Sequence, residues 1–228
     1  MKEFFKSLKK SRGDLLFNLS IIFSLLFLIF FLLIAQNILT QGLLVEIDHQ
    51  VLNSIVSLRN INLTKILLFF TYLGNWQIIV SLGVILVIIF WLTRKKRLMY
   101  FLISWLAGSE IILLIFKLIF HRPRPEAKFA LIPETGYSFP SGHAFISVVF
   151  YGIIGYYLFR LTKKGGQKLL IFISSFLIIF LVGLSRIYLG LHWTSDVMAS
   201  WSLGLFFLIL LIAIFKQKEK FASDLLKN

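Results

Sequence analysis

The chain has 228 residues, 58% of them hydrophobic and only 15% charged, whereas a water-soluble domain carries about a quarter charged residues, so the composition excludes one. The net charge of +14 raises nucleic acid as a partner, but the basic residues flank hydrophobic runs and line no single recognition face, which excludes it. Cysteine is absent, which excludes a disulfide framework and a thiolate metal site.

A bilayer core about 30 Å thick needs about 20 apolar residues per spanning helix. Six runs meet that length, at roughly 16–38, 76–93, 98–120, 143–161, 168–187 and 194–215. The first follows Lys2, Lys6, Lys9, Lys10 and Arg12, as a signal peptide would. Its apolar stretch exceeds the usual signal core and no small-residue cleavage site follows, so an uncleaved first helix is expected. Between the first and second runs, residues 39–75 form a longer connection. Leu52, Ile55, Val56 and Leu58 recur there at near-helical spacing among polar residues, which predicts an interfacial amphipathic helix. Residues 63–73 are apolar but too short to span, and are expected to dip into the membrane or lead into the second span. The expected fold is all-α, a polytopic bundle of six transmembrane helices plus that external segment, in one domain over 1–228.

The loops differ in charge. One side of the bundle receives 17 of the 24 lysines and arginines, and the positive-inside rule makes that side cytoplasmic, with both termini on it. Arg59, Lys65, Lys117, Arg122, Arg124, Lys128 and Arg186 then fall on the external side.

Three motifs share that external side. At the end of the third span stand Lys117, His121, Arg122, Arg124 and Pro125, the last in a proline pair that stops the helix. Opening the fourth span is Pro140-Ser141-Gly142-His143, where a glycine permits close backbone approach and a helix N-terminus favours an anion. Between spans five and six lie Ser185, Arg186, His192 and Asp196. On a helix, a histidine and an aspartate four apart share a face, and the carboxylate fixes the tautomer that leaves the other ring nitrogen free to attack. Each motif alone has an ordinary explanation: cations snorkelling to headgroups, a plain helix start, a structural His–Asp pair. Together they bring three cations, two histidines, one carboxylate and one helix N-terminus to one face. That inventory suits an oxyanion, and phosphate fits guanidinium forks.

The pattern formed by Lys117, Arg124 and Pro125, then Pro140 to His143, then Ser185, Arg186, His192 and Asp196 resembles the type 2 phosphatidic acid phosphatase family, in its bacterial membrane branch. The resemblance covers the third to the sixth span. It implies a lipid phosphatase in which His192 attacks phosphorus and forms a phosphohistidine. Asp196 would orient it, and His143 would act as general acid and then general base. Lys117, Arg124, Ser141, Gly142 and Arg186 would bind the phosphate. The substrate so implied is a membrane lipid phosphate: phosphatidylglycerophosphate, phosphatidic acid or undecaprenyl pyrophosphate. Arg122 is expected at most to touch a second phosphate or headgroup, His121 carries no assigned role, and Trp76 and Trp193 read as an interfacial aromatic belt.

No metal or other cofactor is expected, because external carboxylates are scarce and three converging cations oppose a divalent ion. A phosphotransferase on the same scaffold is the nearest alternative, and a vanadate haloperoxidase shares the motifs but is known as a soluble enzyme. A lipid or anion transporter is the rival from another class. Transport sites sit near the bilayer midplane in broken helices, whereas these motifs lie at span ends.

Overall fold

In the computed structural model, residues 2–225 are described, with side chains described over 14–217. The described residues form eight α-helices and one 3-10 turn, with no strand. The helices are α1 (Lys2–Leu39), α2 (Leu43–Ser57), α3 (Ile61–Leu73), α4 (Trp76–Leu92), α5 (Lys96–Phe120), α6 (Gly142–Leu161), α7 (Gly165–Tyr188) and α8 (Thr194–Leu225).

Five of them are long and apolar enough to span: Asp14–Leu39 of α1, then α5, α6, α7, and Thr194–Gln217 of α8. The expected second span is α4, whose 17 residues reach about 26 Å at 1.5 Å per residue, short of the hydrocarbon core. Together with α3, which meets it at a bend of 47°, it forms a pair long and apolar enough to span. The apolar stretch 63–73 therefore leads into the second span.

α6 sits at the centre of the bundle. Ala144 through Phe150 are all buried, a run without a polar face, as befits a helix surrounded by others. Phe145 and Val149 pack with Phe31, Ile34 and Ala35 of α1 and with Ala199 and Leu203 of α8. On another side, Ile146 and Phe150 meet Ile79 of α4. α1 and α5 lie at the periphery and turn rows of leucine, isoleucine and phenylalanine outward, where lipid tails replace water as the neighbour.

α2 crosses the ends of the bundle helices. Its Val51 and Ile55 pack on Ile187 of α7 and Val197 of α8, and Asp48 is buried beneath it. The amphipathic segment thus becomes a cap over the ends of α7 and α8. Asn60 starts α3 by accepting the Leu63 amide at 2.9 Å, a standard N-cap. Arg59 ties the assembly together, donating to the Tyr188 carbonyl (2.7 Å) and the Phe129 carbonyl (2.8 Å).

Two glycines allow approaches that other residues would block. Gly190 has φ +72°, and a Cβ there would lie 2.1 Å from the Phe129 carbonyl oxygen. Gly74, in the break between α3 and α4, would place a Cβ 3.2 Å from the His143 ring. The bend in the second span thus lets α4 begin directly against the N-terminal turn of α6.

Candidate active site

The site forms where the ends of α5, α6, α7 and α8 meet, under the loop 121–141. Its shape begins with the turn after α7. The Arg186 carbonyl accepts the amides of Leu191 (3.0 Å) and His192 (3.3 Å), and Gly190 supplies the left-handed residue that the reversal needs. The five-residue gap between Arg186 and His192 is therefore the length of one closed turn, which brings both side chains to one spot.

His192 precedes α8, whose first residue is Thr194, so the expected pairing along a helix face is made instead through the turn. The Asp196 carboxylate reaches back to the Trp193 amide at 3.0 Å and stands 3.4 Å from His192 Nδ1. A carboxylate three residues into a helix that binds the amide just before it is one half of a capping box. On the other edge of the ring, Arg124 Nη1 lies 3.1 Å from His192 Nε2. A guanidinium can only donate, so Nε2 is the lone-pair nitrogen and Nδ1 carries the hydrogen toward Asp196.

The cations gather around that lone pair. Arg124 is fixed by the carbonyls of Leu191 (2.8 Å), Gly136 (3.0 Å) and Thr135 (3.1 Å). Lys117 Nζ donates to the Tyr137 carbonyl at 2.6 Å. Arg186, fully buried, donates to Thr71 Oγ1 of α3 at 2.7 Å, while its Nε has no hydrogen-bond partner. Ser141 Oγ, at the start of α6, is likewise buried and unpartnered. Buried donors left without acceptors cost stability; these two are where an anion's oxygens would be received. His143 is half-buried and lies within electrostatic reach of His192, Arg124, Arg186 and Lys117. All eight expected site residues (Lys117, Arg124, Ser141, Gly142, His143, Arg186, His192 and Asp196) are thus placed at one end of the bundle.

Burial pushes the His192 imidazole well below the usual histidine range, and Arg124, Arg186 and Lys117 push it further. Both effects favour the neutral ring, whose Nε2 lone pair faces the Arg124 guanidinium.

Beside His143 a cleft of about 230 Å³ opens between α4, α5 and α6. Lys117 and His143 stand at its polar end, and Leu113, Leu114 and Ile146 form its apolar wall. Leu114 and Trp76 at its rim are exposed on the outer surface of the bundle, so the cleft opens sideways between the helices. Glu110, two turns along α5 from Lys117, also lines it; no motif pointed to this residue.

Arg122 corrects the expectation that it would touch substrate. It is 8% exposed and lies behind the histidine, with Nη1 2.6 Å from Asp196 and Nη2 2.7 Å from Asp48. The cause is local backbone: His121 closes α5 in the left-handed region at φ 45°, which turns the next residue inward. Ser195 completes the cluster, accepting from Arg122 at 2.8 Å and donating to Asp48, which also accepts the Ser195 amide at 2.8 Å. Trp193 is not a belt residue either. It is buried against His49, 4.6 Å between ring centroids, and its Nε1 donates to the Pro123 carbonyl at 2.9 Å. Trp76, by contrast, is exposed as a belt residue would be.

Glu134, in the loop before α6, was also silent in the sequence. One oxygen lies 2.8 Å from Arg186 and the other 3.4 Å from Arg124, so a carboxylate spans the two guanidinium groups. Among the described residues, no three histidine, cysteine or acidic side chains cluster as a metal site would require.

Residues 97–220 match the PAP2 superfamily. The chain belongs to that family. It is 32% identical over 194 residues to phosphatidylglycerophosphatase B of Bacillus subtilis, covering 84% of this chain and 94% of that one. A shorter match, 40% over 70 residues, is to an undecaprenyl-diphosphatase of Sulfolobus acidocaldarius, 31% of this chain and 30% of that one. Among solved structures, a transmembrane PAP2-type phosphatidylglycerolphosphate phosphatase from Bacillus subtilis superposes with a TM-score of 0.75 at 27% identity, over 86% of this chain and 96% of that one.

Proposed function

We propose that the protein is a metal-independent lipid phosphatase acting at the external face of the membrane through a phosphohistidine. The observation that carries this reading is the polarity of His192: Asp196 on the Nδ1 edge, a guanidinium 3.1 Å from Nε2. An imidazole so held presents a fixed lone pair to the place where the cations gather.

The lipid phosphate enters along the cleft beside α5, its tail against Leu113 and Leu114. Its phosphoryl oxygens take the donors of Arg124, Arg186, Lys117 and Ser141, with the Gly142 backbone close by. His192 Nε2 attacks phosphorus in line, the bond to the leaving oxygen breaks, and His143 gives that oxygen a proton. Asp196 balances the positive charge that develops on His192. Water then attacks the phosphohistidine, His143 takes its proton, and inorganic phosphate departs. Donors aimed at developing charge contribute about 3–4 kcal/mol each in well-studied oxyanion sites. The names of the relatives support a lipid as the carrier, and the uneven loop charge supports the external face.

Phosphate release from phosphatidylglycerophosphate, phosphatidic acid and undecaprenyl pyrophosphate in detergent with excess EDTA tests the proposal. Release from at least one of the three is expected. Complete loss in EDTA, restored by a divalent ion, would overturn the metal-free mechanism.

A pH prediction follows from the cations around His192. Their charge and burial favour the neutral ring, so its protonation, and the acid limb of activity that it sets, falls below the ordinary histidine value of 6.5. Arg124→Gln removes one opposing charge, so the His192 titration should move up toward that value. Nitrogen NMR of histidine-labelled protein reads this directly; an unmoved or lowered titration would contradict the electrostatic account.

A further inference from the structure

A second cavity lies far from the site above. It measures about 620 Å³ and opens between the ends of α4, α5, α6 and α8. Lys96 and Lys117 mark opposite ends of α5, 21 residues apart, or about 31 Å of helix, which is the thickness of a bilayer core. Arg94, Lys95, Lys96, Arg97 and Arg160 line this cavity, and among the described residues no carboxylate does. Its walls are apolar, with Phe90, Phe101, Ile153 and Phe215, and it descends to Leu102, which is 2% exposed.

Topology alone asks only that cations flank the membrane. It does not ask that they ring a hollow lined with aromatic and aliphatic side chains. The turn that carries them closes α4: Arg94 takes the left-handed conformation at φ 56°, and the Lys95 amide returns to the Phe90 carbonyl at 2.8 Å. Lys95 is itself anchored, its Nζ 2.8 Å from the Tyr157 hydroxyl on α6. A cationic mouth over an apolar chamber at a membrane boundary matches a molecule with a negative head and a hydrocarbon tail. A soluble anion would leave the chamber unfilled.

We propose that this cavity binds an anionic glycerophospholipid from the leaflet opposite the catalytic site. Its phosphate is received by Arg94, Arg97 and Lys96, and one acyl chain lies against Phe101, Leu102 and Ile153. The bound lipid joins the α4–α5 turn to α6 and α8, at a distance that keeps it clear of the phosphatase reaction.

Full-length protein in nanodiscs, irradiated with a phosphatidylglycerol carrying a diazirine on its acyl chain, tests this by mapping labelled peptides. Labelling around Phe101, Leu102 or Ile153 is expected, in excess over a phosphatidylcholine probe of the same chain. In the variant Arg94→Gln/Arg97→Gln that excess should fall by about five-fold for each cation removed. Phosphate release should stay within about two-fold, because neither residue touches the catalytic end. Equal labelling by the two probes would overturn the proposal. So would full competition by millimolar inorganic phosphate, which would assign the cavity to a free anion. If the double variant folds poorly, the comparison of the two probes on the unaltered protein, repeated at high salt, decides the matter alone.

Discussion

His192→Ala should lower kcat for phosphate release by roughly 10³-fold or more, while KM changes little. The asymmetry comes from the geometry. The groups that would hold the phosphate, Arg124, Arg186, Lys117 and Ser141, are positioned by the carbonyls of Tyr137, Gly136 and Leu191, by Thr71 and by the start of α6. Apart from the one contact between Arg124 and the ring, none depends on the imidazole. Truncating the ring therefore removes the attacking nitrogen and leaves the cradle. The same variant should yield no acid-labile phosphoryl-protein on rapid quenching with labelled substrate. Phosphate release at a rate near that of the unaltered protein would reject His192 as nucleophile.

The second large effect is expected behind the histidine. Arg122 lies between Asp48 and Asp196, and all three are nearly or fully buried. Arg122→Gln would leave two buried carboxylates close together without the cation they share. Removing one member of a buried ion pair costs about 3–5 kcal/mol, so the variant should unfold in detergent at a clearly lower temperature. It should also lose activity, since Asp196 would no longer be held against His192. Asp48→Asn should be milder, because the pair of Arg122 and Asp196 survives. A melting temperature unchanged by Arg122→Gln would show that the cluster contributes nothing to holding α2 and α8 together.

These two predictions rest on features that were unequally visible in the sequence. Spans were legible because a bilayer imposes length and composition on each helix separately. Lys117, Arg124, Arg186, His192 and Asp196 were legible because their spacing is set by short backbone segments: one turn after α7, one helix end at α5. The sequence does not show where Arg122 points, because its direction depends on the left-handed His121 and on Asp48 of α2, 74 residues earlier in the chain. Asp48 and Glu134 belong to stretches with no motif, and only packing reveals that one pairs with the arginine that holds Asp196 and the other bridges two cations. The short α4 also misled in part. Hydropathy finds an apolar stretch but does not report a 47° bend, nor that Gly74 within it lets the second span abut His143.

The bridge formed by Glu134 has a consequence for how the reaction ends. With a carboxylate already spanning Arg124 and Arg186, the resting site is not an open trap for any passing anion. A tethered rival acts at an effective concentration in about the millimolar range, and free phosphate must outcompete it. A lipid substrate brings a second source of binding in its tail, which the departing inorganic phosphate lacks. Under the proposed function, the same glutamate would discriminate between arrival and departure, yielding to an anchored phosphate and helping to evict a free one.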